Sequence, residues 1–528
     1  MAQHHFSNFS DSNSSATTLS PVASPRADSL LRPVADKNRS PAKSTIGAEK
    51  RKLTSGLLEK PLPLRATPRL PEDAVQTPPT TDRRPSLSAS AGITRTRLVP
   101  RSTPTPRRPS EPVLVQPARS GDHPDIQQLL LNVFHAPSRD DFHAWSERPG
   151  YDPQQRLLVK HRDRLAAHTL VTDYVLQFGA CELPVKQLHW LATFPSYQDR
   201  GFATALVRAA ESRMRAEQTP LGVLRTKIPH FFARQGWAVC GRHSVSHGRA
   251  REVLARLSAL PAGRLFPLSI RYWRHVELPA LMRIYAQNLP QAYGAVVRGE
   301  EDWRWLISRK AFDHILVAIH GRDRMDLEDT RAPLTGYAIM RGQRVVELVT
   351  DPAYPTTAEQ LLARACGEMI ENDRQELAVE AAPGCEVHGY IADSGGQFNQ
   401  SEADGGEALM VKILDFASLI ARLGPEILSR AQAAGIKGPC ELGFHFEGQK
   451  GQLVLNRKSV QWIPGKLGRA YLQLKTAELT RLLLGHGCVR EAHAAGRISA
   501  TTNAALQLAQ TLFPPVPWWR PSWDELGA

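Results

Sequence analysis

Six consecutive residues, Gln198-Asp199-Arg200-Gly201-Phe202-Ala203, have the types and spacing to hold a diphosphate. Gly201 and Ala203 let an anion approach the backbone, and Arg200 adds a full positive charge. The same residues also suit an ordinary turn, and these six alone do not separate the two readings. The flanking pattern bears on the choice. Leu188 to Thr193 (LHWLAT) is apolar and compact, which predicts a buried strand. A short loop containing Pro195 follows. Ala203, Val207, Ala210 and Met214 then recur at i, i+4, i+7 and i+11, which predicts one buried helix face with Arg208, Ser212 and Arg215 turned away. The six residues thus stand at a strand-to-helix turn, where unpaired amides and the helix dipole present partial positive charge.

The chain that positions this turn has 528 residues and a formal charge of +14, and 42% of it is hydrophobic, enough for several cores. Its length suggests three or four domains. No apolar run approaches the roughly 20 residues needed to span a bilayer, so no membrane partner is expected. The opening residues lack the basic head and apolar core of a secretory signal. Cys181, Cys240, Cys366, Cys385, Cys440 and Cys488 are scattered, with no Cys-x-x-Cys pair. That pattern indicates neither a metal site nor a disulfide framework, and a cytoplasmic setting is the simplest. Residues 1 to 117 hold 18 Lys and Arg against 9 Asp and Glu, with 17 of the 40 prolines. A disordered Pro/Ser/Arg-rich tail is expected over residues 1–112. Its basic residues are dispersed and not clustered, so a solvated extension is the reading and nucleic acid is not expected as a partner.

Ordered structure is expected from Val113. A strand at 113–115, a helix capped by Asp122 and running to Phe134, and strands at 156–160 and 167–178 precede the central strand. A strand at 221–224 and a helix at 228–235, stopped by Gly236, follow the helix after the turn. This alternation predicts an α/β fold around a mixed sheet. A second pass of the same design begins near Leu268. Its strand at 345–350 leads through Asp351-Pro352-Ala353-Tyr354-Pro355 into a helix at 358–370. Proline removes amide donors and Asp351 repels phosphate, so this turn is read as a degenerate copy; an unrelated α/β domain is the alternative. Gly384 to Gly406 is read as a loose Gly-rich segment. Short strands at 440–446, 451–456 and 459–463, a helix from Thr476, and the aromatic end LFPPVPWWRPSWDELGA complete the chain.

Gln198 to Ala203 resembles the acyl-CoA loop of the GNAT N-acyltransferases, and Phe231-Phe232-Ala233-Arg234-Gln235-Gly236-Trp237 is similar to that family's second signature. The last segment is similar to a sterol carrier protein. The three together resemble the Eis (enhanced intracellular survival) acetyltransferases. Further family-like residues are Arg298, Glu301-Asp302-Trp303, Gly336-Tyr337, Leu409-Met410 and Leu512-Phe513-Pro514. The resemblance implies an α/β (α+β) architecture: a GNAT domain at 113–265, a degenerate GNAT-like domain at 266–406 and a sterol-carrier-like α+β domain at 407–528. It implies acetyl transfer from acetyl-CoA, with no metal, to a primary amine of aminoglycoside, polyamine or lysine type. A homo-oligomer, hexameric in the family, is implied too. Leu191 and Thr193 fall where backbone groups meet pantetheine, and Gln198 through Thr204 where the pyrophosphate sits. By the same resemblance, Arg225 and Thr226 are expected to face that cleft. Where the family has a Tyr acid, this chain has Phe232, which has no proton to give. His230 is an alternative donor, with a surface histidine as the plain reading. The carboxylate of Ala528 is the base by resemblance, with Asp524, Glu525 or His189 as alternatives. A catalytically inactive acyl-CoA-binding regulatory protein is the second functional reading, motivated by Phe232.

Overall fold

The computed structural model describes residues 113–260, 268–320, 334–354, 356–404 and 406–525. The tail expected over 1–112 lies outside them. Among the described residues β1 (Val115–Pro117) leads to α1 (His123–Phe134) and α2 (Arg139–Ser146). Then come β2 (Arg156–His161), β3 (Arg164–Phe178), β4 (Cys181–Thr193), α3 (Phe202–Ala216), β5 (Leu221–Thr226), α4 (Pro229–Ala233), β6 (Ala238–Val239), β7 (His243–Arg249) and α5 (Ala250–Ser258). The middle supplies β8 (Ser269–Tyr272), α6 (Leu278–Asn288), β9 (Tyr293–Val296), α7 (Glu300–Ser308), β10 (His314–Ile319), β11 (Leu334–Arg341), β12 (Arg344–Thr350), α8 (Thr357–Glu371), β13 (Glu376–Glu380), α9 (Glu386–Asp393) and β14 (Gln397–Ser401). The last part runs β15 (Ala403–Asp404), β16 (Glu407–Ile413), α10 (Phe416–Ala433), β17 (Cys440–Phe446), β18 (Gln449–Leu455), β19 (Val460–Pro464), β20 (Tyr471–Leu474), α11 (Thr476–Leu483), α12 (Val489–Ala494), β21 (Ile498–Ala500) and α13 (Asn503–Leu512).

Three sheets result. The first has the order β1-β2-β3-β4-β5-β16-β15, with β6 on β16 and β9 on β3; the second is β14-β7-β13-β12-β11-β10-β8; the third is β19-β18-β17-β20-β21. The expected α/β fold of two mixed sheets and a terminal α+β unit is therefore present. The sheets, however, exchange strands across the segment limits read from the sequence. β7, from before residue 265, pairs with β13 and β14 of the second sheet. β9 pairs with β3 of the first, and β16, from after residue 406, pairs with β5. The segment from Gly384 to Gly406 is not a loose loop: it holds α9 and β14, whose register with β7 runs from Gln397↔His247 to Ser401↔His243. His388 of α9 fixes it by bonding to Ser244 and Ser246 Oγ at 3.0 and 2.8 Å.

Packing follows the apolar periodicity with one shift. The buried face of α3 is Phe202, Leu206, Val207, Ala210 and Met214; Ala203 stays half-buried beside the turn. β16 is locked onto α3 by Lys412, whose ammonium donates to both oxygens of Glu211 at 2.8 and 2.7 Å, while Trp237 Nε1 donates to the same carboxylate at 2.9 Å. The C-terminal segment threads between cores. Phe513, Val516 and Trp518 are buried with the third sheet and α10, and Trp523 is buried with Trp303 and Tyr337 of the second sheet's core. Large rings each bury roughly 150–250 Å², so this segment is a built part of the fold.

Candidate active site

β4 is the strand that positions the site. It pairs in parallel with β5 from Val185↔Leu221 to Leu188↔Leu224 and no further. β4 continues to Thr193 and β5 to Thr226, so the two strands splay apart and the edge of β4 from His189 to Thr193 faces a gap on that side. Within the gap lies a bulge. Leu170 pairs with His189 and His168 with Ala192, so Trp190 and Leu191 together oppose the single residue Thr169. Trp190 has φ +50°, a conformation that costs a bulky residue about 1–3 kcal/mol unless its surroundings impose it. Here they do. His168 Nδ1 donates to the Trp190 carbonyl at 3.2 Å, and Arg156 Nη1 lies 3.3 Å from His168 Nε2. Burial, helped by the Arg156 guanidinium, holds the His168 imidazole well below its usual range, so it is neutral with one N–H and one acceptor.

Beyond Thr193 the chain turns through Pro195 to Gly201 into α3. Tyr197 holds the turn: its ring lies 5.6 Å from His161 and 6.4 Å from Phe202, and the Arg200 guanidinium sits over it at 5.3 Å. Gly201 has φ +82° and Asp199 φ +60°, so the amides here lie in the left-handed conformation that gathers N–H groups into an anion-binding concavity. The first helical backbone bond from this turn is Ala205 N to Gly201 O, and no side chain caps α3. Among the described residues the amides of Asp199, Arg200, Gly201, Phe202, Ala203 and Thr204 have no partner. Gln198 is exposed, and its amide donates to Pro195 O at 3.3 Å.

On the sheet face turned toward the C-terminal segment, register aligns Thr172 with Gln187 and places His189 and Tyr174 on the same side. His189 Nε2 bonds Thr172 Oγ1 at 2.9 Å, and its ring packs 5.1 Å from Trp145 and 6.3 Å from Tyr174. Glu525 closes this cluster. Gln187 Nε2 donates to its Oε1 at 2.9 Å, Arg520 Nη1 lies 3.0 Å from the same oxygen, and Arg225 Nε pairs with Oε2. Burial alone would raise the Glu525 carboxyl, but Arg225 and Arg520 hold it at about 2. Burial pushes the His189 imidazole down to about 3; Glu525 opposes that shift, and Arg148 and Arg520 add to it. Both groups are thus in their basic forms at neutral pH, and both are weak bases. The neighbouring acid faces the other way: Asp524 Oδ1 accepts from Arg298 Nε at 2.8 Å, and Arg298 also grips Glu347 at 2.9 and 2.6 Å.

The residues expected from sequence are distributed as follows. Leu191, Thr193 and Gln198 through Thr204 share the splay and its turn. His189 lies on the adjoining face with Glu525. His230 is exposed on α4, and among the described residues no hydrogen bond or ring contact joins it to His189. Phe232 is 3% exposed in the core with Trp237, so nothing at that position presents a proton to the gap. Ala528 lies outside the described residues. Sequence reasoning missed Thr172, Gln187 and Arg520. The alternation of Thr172 and Tyr174 along β3 was a readable signal; the position of Arg520 was not, because it depends on where the C-terminal segment docks.

The geometry of a splayed strand, a bulge and an uncapped helix can be set beside known proteins. Residues 115–240 match the family model of an acetyltransferase (GNAT) domain. Residues 444–521 match that of a sterol carrier protein domain. The second sheet lies largely between the two matched segments. Among solved structures, a GCN5-related N-acetyltransferase from Kribbella flavida aligns at TM-score 0.61 and 16% identity, covering 78% of this chain and 98% of its own. One from Anabaena variabilis aligns at TM-score 0.61 and 14% identity, covering 77% and 98%. Eis1 from Mycobacterium abscessus aligns at TM-score 0.55 and 15% identity, over 77% and 98%. At these identities the likeness is one of fold, and it extends over the GNAT domain, the second sheet and the sterol-carrier-like part. No curated protein matches. Among the described residues no helix is long and apolar enough to cross a membrane, and no three His, Cys, Asp or Glu are grouped to hold a metal.

Proposed function

We propose that the protein is an acyl-CoA-dependent N-acyltransferase that uses acetyl-CoA and acts on a primary amine. The observation that carries this reading is the run from the splayed edge of β4 into six unpartnered amides at the start of α3, beside Arg200. A diphosphate satisfies those amides and gains the helix dipole and one full charge. The open edge from His189 to Thr193 offers backbone donors and acceptors to the amides of a pantetheine arm. Acyl-CoA, when bound, supplies a thioester whose carbonyl carbon accepts the amine nitrogen while the C–S bond breaks and CoA departs as its thiolate, to be protonated by solvent. The bulge held by His168 and Arg156 fixes the backbone at that point of the strand before any ligand arrives. His189, neutral and tethered to Thr172, takes the amine proton; the nitrogen becomes a strong acid once it has bonded to the carbonyl carbon, so a weak base suffices. Glu525 stabilises the imidazolium that results. Assembly as a hexamer remains an expectation from resemblance, checked by light scattering.

Phe232 favours a second reading, a protein that binds acyl-CoA without turning it over. Calorimetry with CoA, and thiol release from acetyl-CoA across an amine panel, separate the two. CoA binding with thiol release on at least one amine supports the transferase. CoA binding with none supports the regulator, and absence of CoA binding rejects both.

A further inference from the structure

A cavity of about 1100 Å³ opens beside the His189–Glu525 cluster, walled by Arg225 of β5, by β7, β12 and β13 of the second sheet and by the C-terminal segment. Arg225 and Arg520 belong both to its wall and to the grip on Glu525. Three more arginines complete its charge: Arg341 and Arg344, at the turn joining β11 to β12, and Arg374, before β13. The acids on the wall are Glu376 and Glu380, and Glu380 pairs with Arg344. With Glu525 counted as well, five arginines stand against three carboxylates on or beside this wall. The wall is also chemically unfinished. Arg520 is 5% exposed, yet its Nε and Nη2 are buried without a hydrogen-bond partner among the described residues, and so is Ser522 Oγ. Orphaned buried donors of this kind are rare.

We infer that this cavity is the acceptor site and that the acceptor amine also carries an anionic group, a carboxylate or a phosphate. The inference rests on the transferase reading above and narrows its substrate class. Guanidiniums match both anions bidentately, and the wall carries five of them. A polycation such as an aminoglycoside or a polyamine meets net repulsion in the same space. The charge has a second effect on the chemistry. Positive neighbours disfavour an ammonium, so the bound amine sheds its proton more readily and presents the free base as nucleophile. A cationic wall thereby compensates for a histidine and a carboxylate that are both weak bases.

The test titrates the full chain, saturated with CoA, with O-phosphoethanolamine, glutamate and spermidine, and in a separate assay follows thiol release from acetyl-CoA with each. The anionic amines are expected to bind, more weakly as salt rises, and to be acylated in preference to spermidine. Their ranking distinguishes phosphate from carboxylate. Arg374→Glu is expected to raise Kd and KM for the anionic amine about tenfold, with kcat and CoA affinity within about twofold. Spermidine binding as tightly as the anionic amines, or equal binding by wild type and Arg374→Glu, overturns the inference. Anionic amines that bind without thiol release support the cavity assignment and count against the transferase.

Discussion

The same strand-turn-helix occurs twice in this molecule, and the two copies differ in what their backbone amides do. In the first, β4 leaves β5 after Leu188↔Leu224; in the second, β12 leaves β13 after Val345↔Val379. Both sheets therefore splay. In the first turn the amides from Asp199 to Thr204 are unspent. In the second, Ala353 N donates to Asp351 Oδ1, Tyr354 N to Asp351 O and Thr357 N to Tyr354 O, while Pro352 has no N–H. The gap beyond β12 holds a cavity of about 280 Å³, walled partly by Pro517, Trp519 and Pro521 of the C-terminal segment. In the second copy a few local hydrogen bonds and a neighbouring strap thus occupy what the first leaves open.

The largest effect expected comes from removing what joins the two copies. Asp524 is held by Arg298, which also grips Glu347 of the second sheet, and Glu525 by Arg225 and Arg520 of the first site. Deleting residues 523–528 is expected to lower kcat/KM more than about 100-fold while CoA affinity changes less than about threefold; calorimetry and thiol-release kinetics read the two quantities separately, and full activity would show that the segment only packs. Next is the turn itself. Gly201→Asp places a strained residue and a negative charge where the amides converge, and should weaken CoA at least about tenfold. Asp351→Gly in the second turn should leave one CoA per chain, and a stoichiometry of two would break the contrast.

Smaller effects fall on stability. Arg298→Ala leaves the buried Glu347 and Asp524 without their cation and should cost about 3–5 kcal/mol in urea unfolding, while Lys412→Ala, which leaves Glu211 with Arg215 and Trp237, should cost less. The smallest is a pH effect. His168 and His189 are held below their ordinary 6.5, so the unfolded chain binds protons that the folded one refuses. Stability therefore falls as pH drops below about 6.5, and Glu525, held below its ordinary 4.5, extends the loss at lower pH. Melting curves should shift down by a few degrees between pH 7 and about 5, and His189→Asn should flatten part of that slope.

What the sequence revealed of this was local. Gly201, Arg200 and the apolar repeat of α3 lie within one turn of chain, so their meaning needs no distant partner. The lost donors of Pro352 were readable for the same reason, and so was the packing of Phe513, Trp518 and Trp523, since rings that large are seldom left in water. The exchange of β7, β9 and β16 was hidden because a short strand's residues say that it pairs, not with what. The basic cavity was hidden more deeply. Apart from Arg225, which the resemblance placed at the cleft, its arginines, at 341, 344, 374 and 520, look like ordinary surface charge until the fold assembles them.

The exchanged strands also bear on how the chain comes to be folded. While it is being made, β5 has no partner on its outer side until β16, at 407–413, has emerged, and β7 waits for β13 at 376–380. The nascent first sheet therefore carries an open edge through the synthesis of some 180 residues, the kind of exposed strand on which chains aggregate. Pairings so distant in sequence also close slowly. A ribosome-bound chain stopped near residue 260 is expected to remain protease-sensitive and to occupy chaperones, and to gain protection only once residue 413 is clear of the exit tunnel.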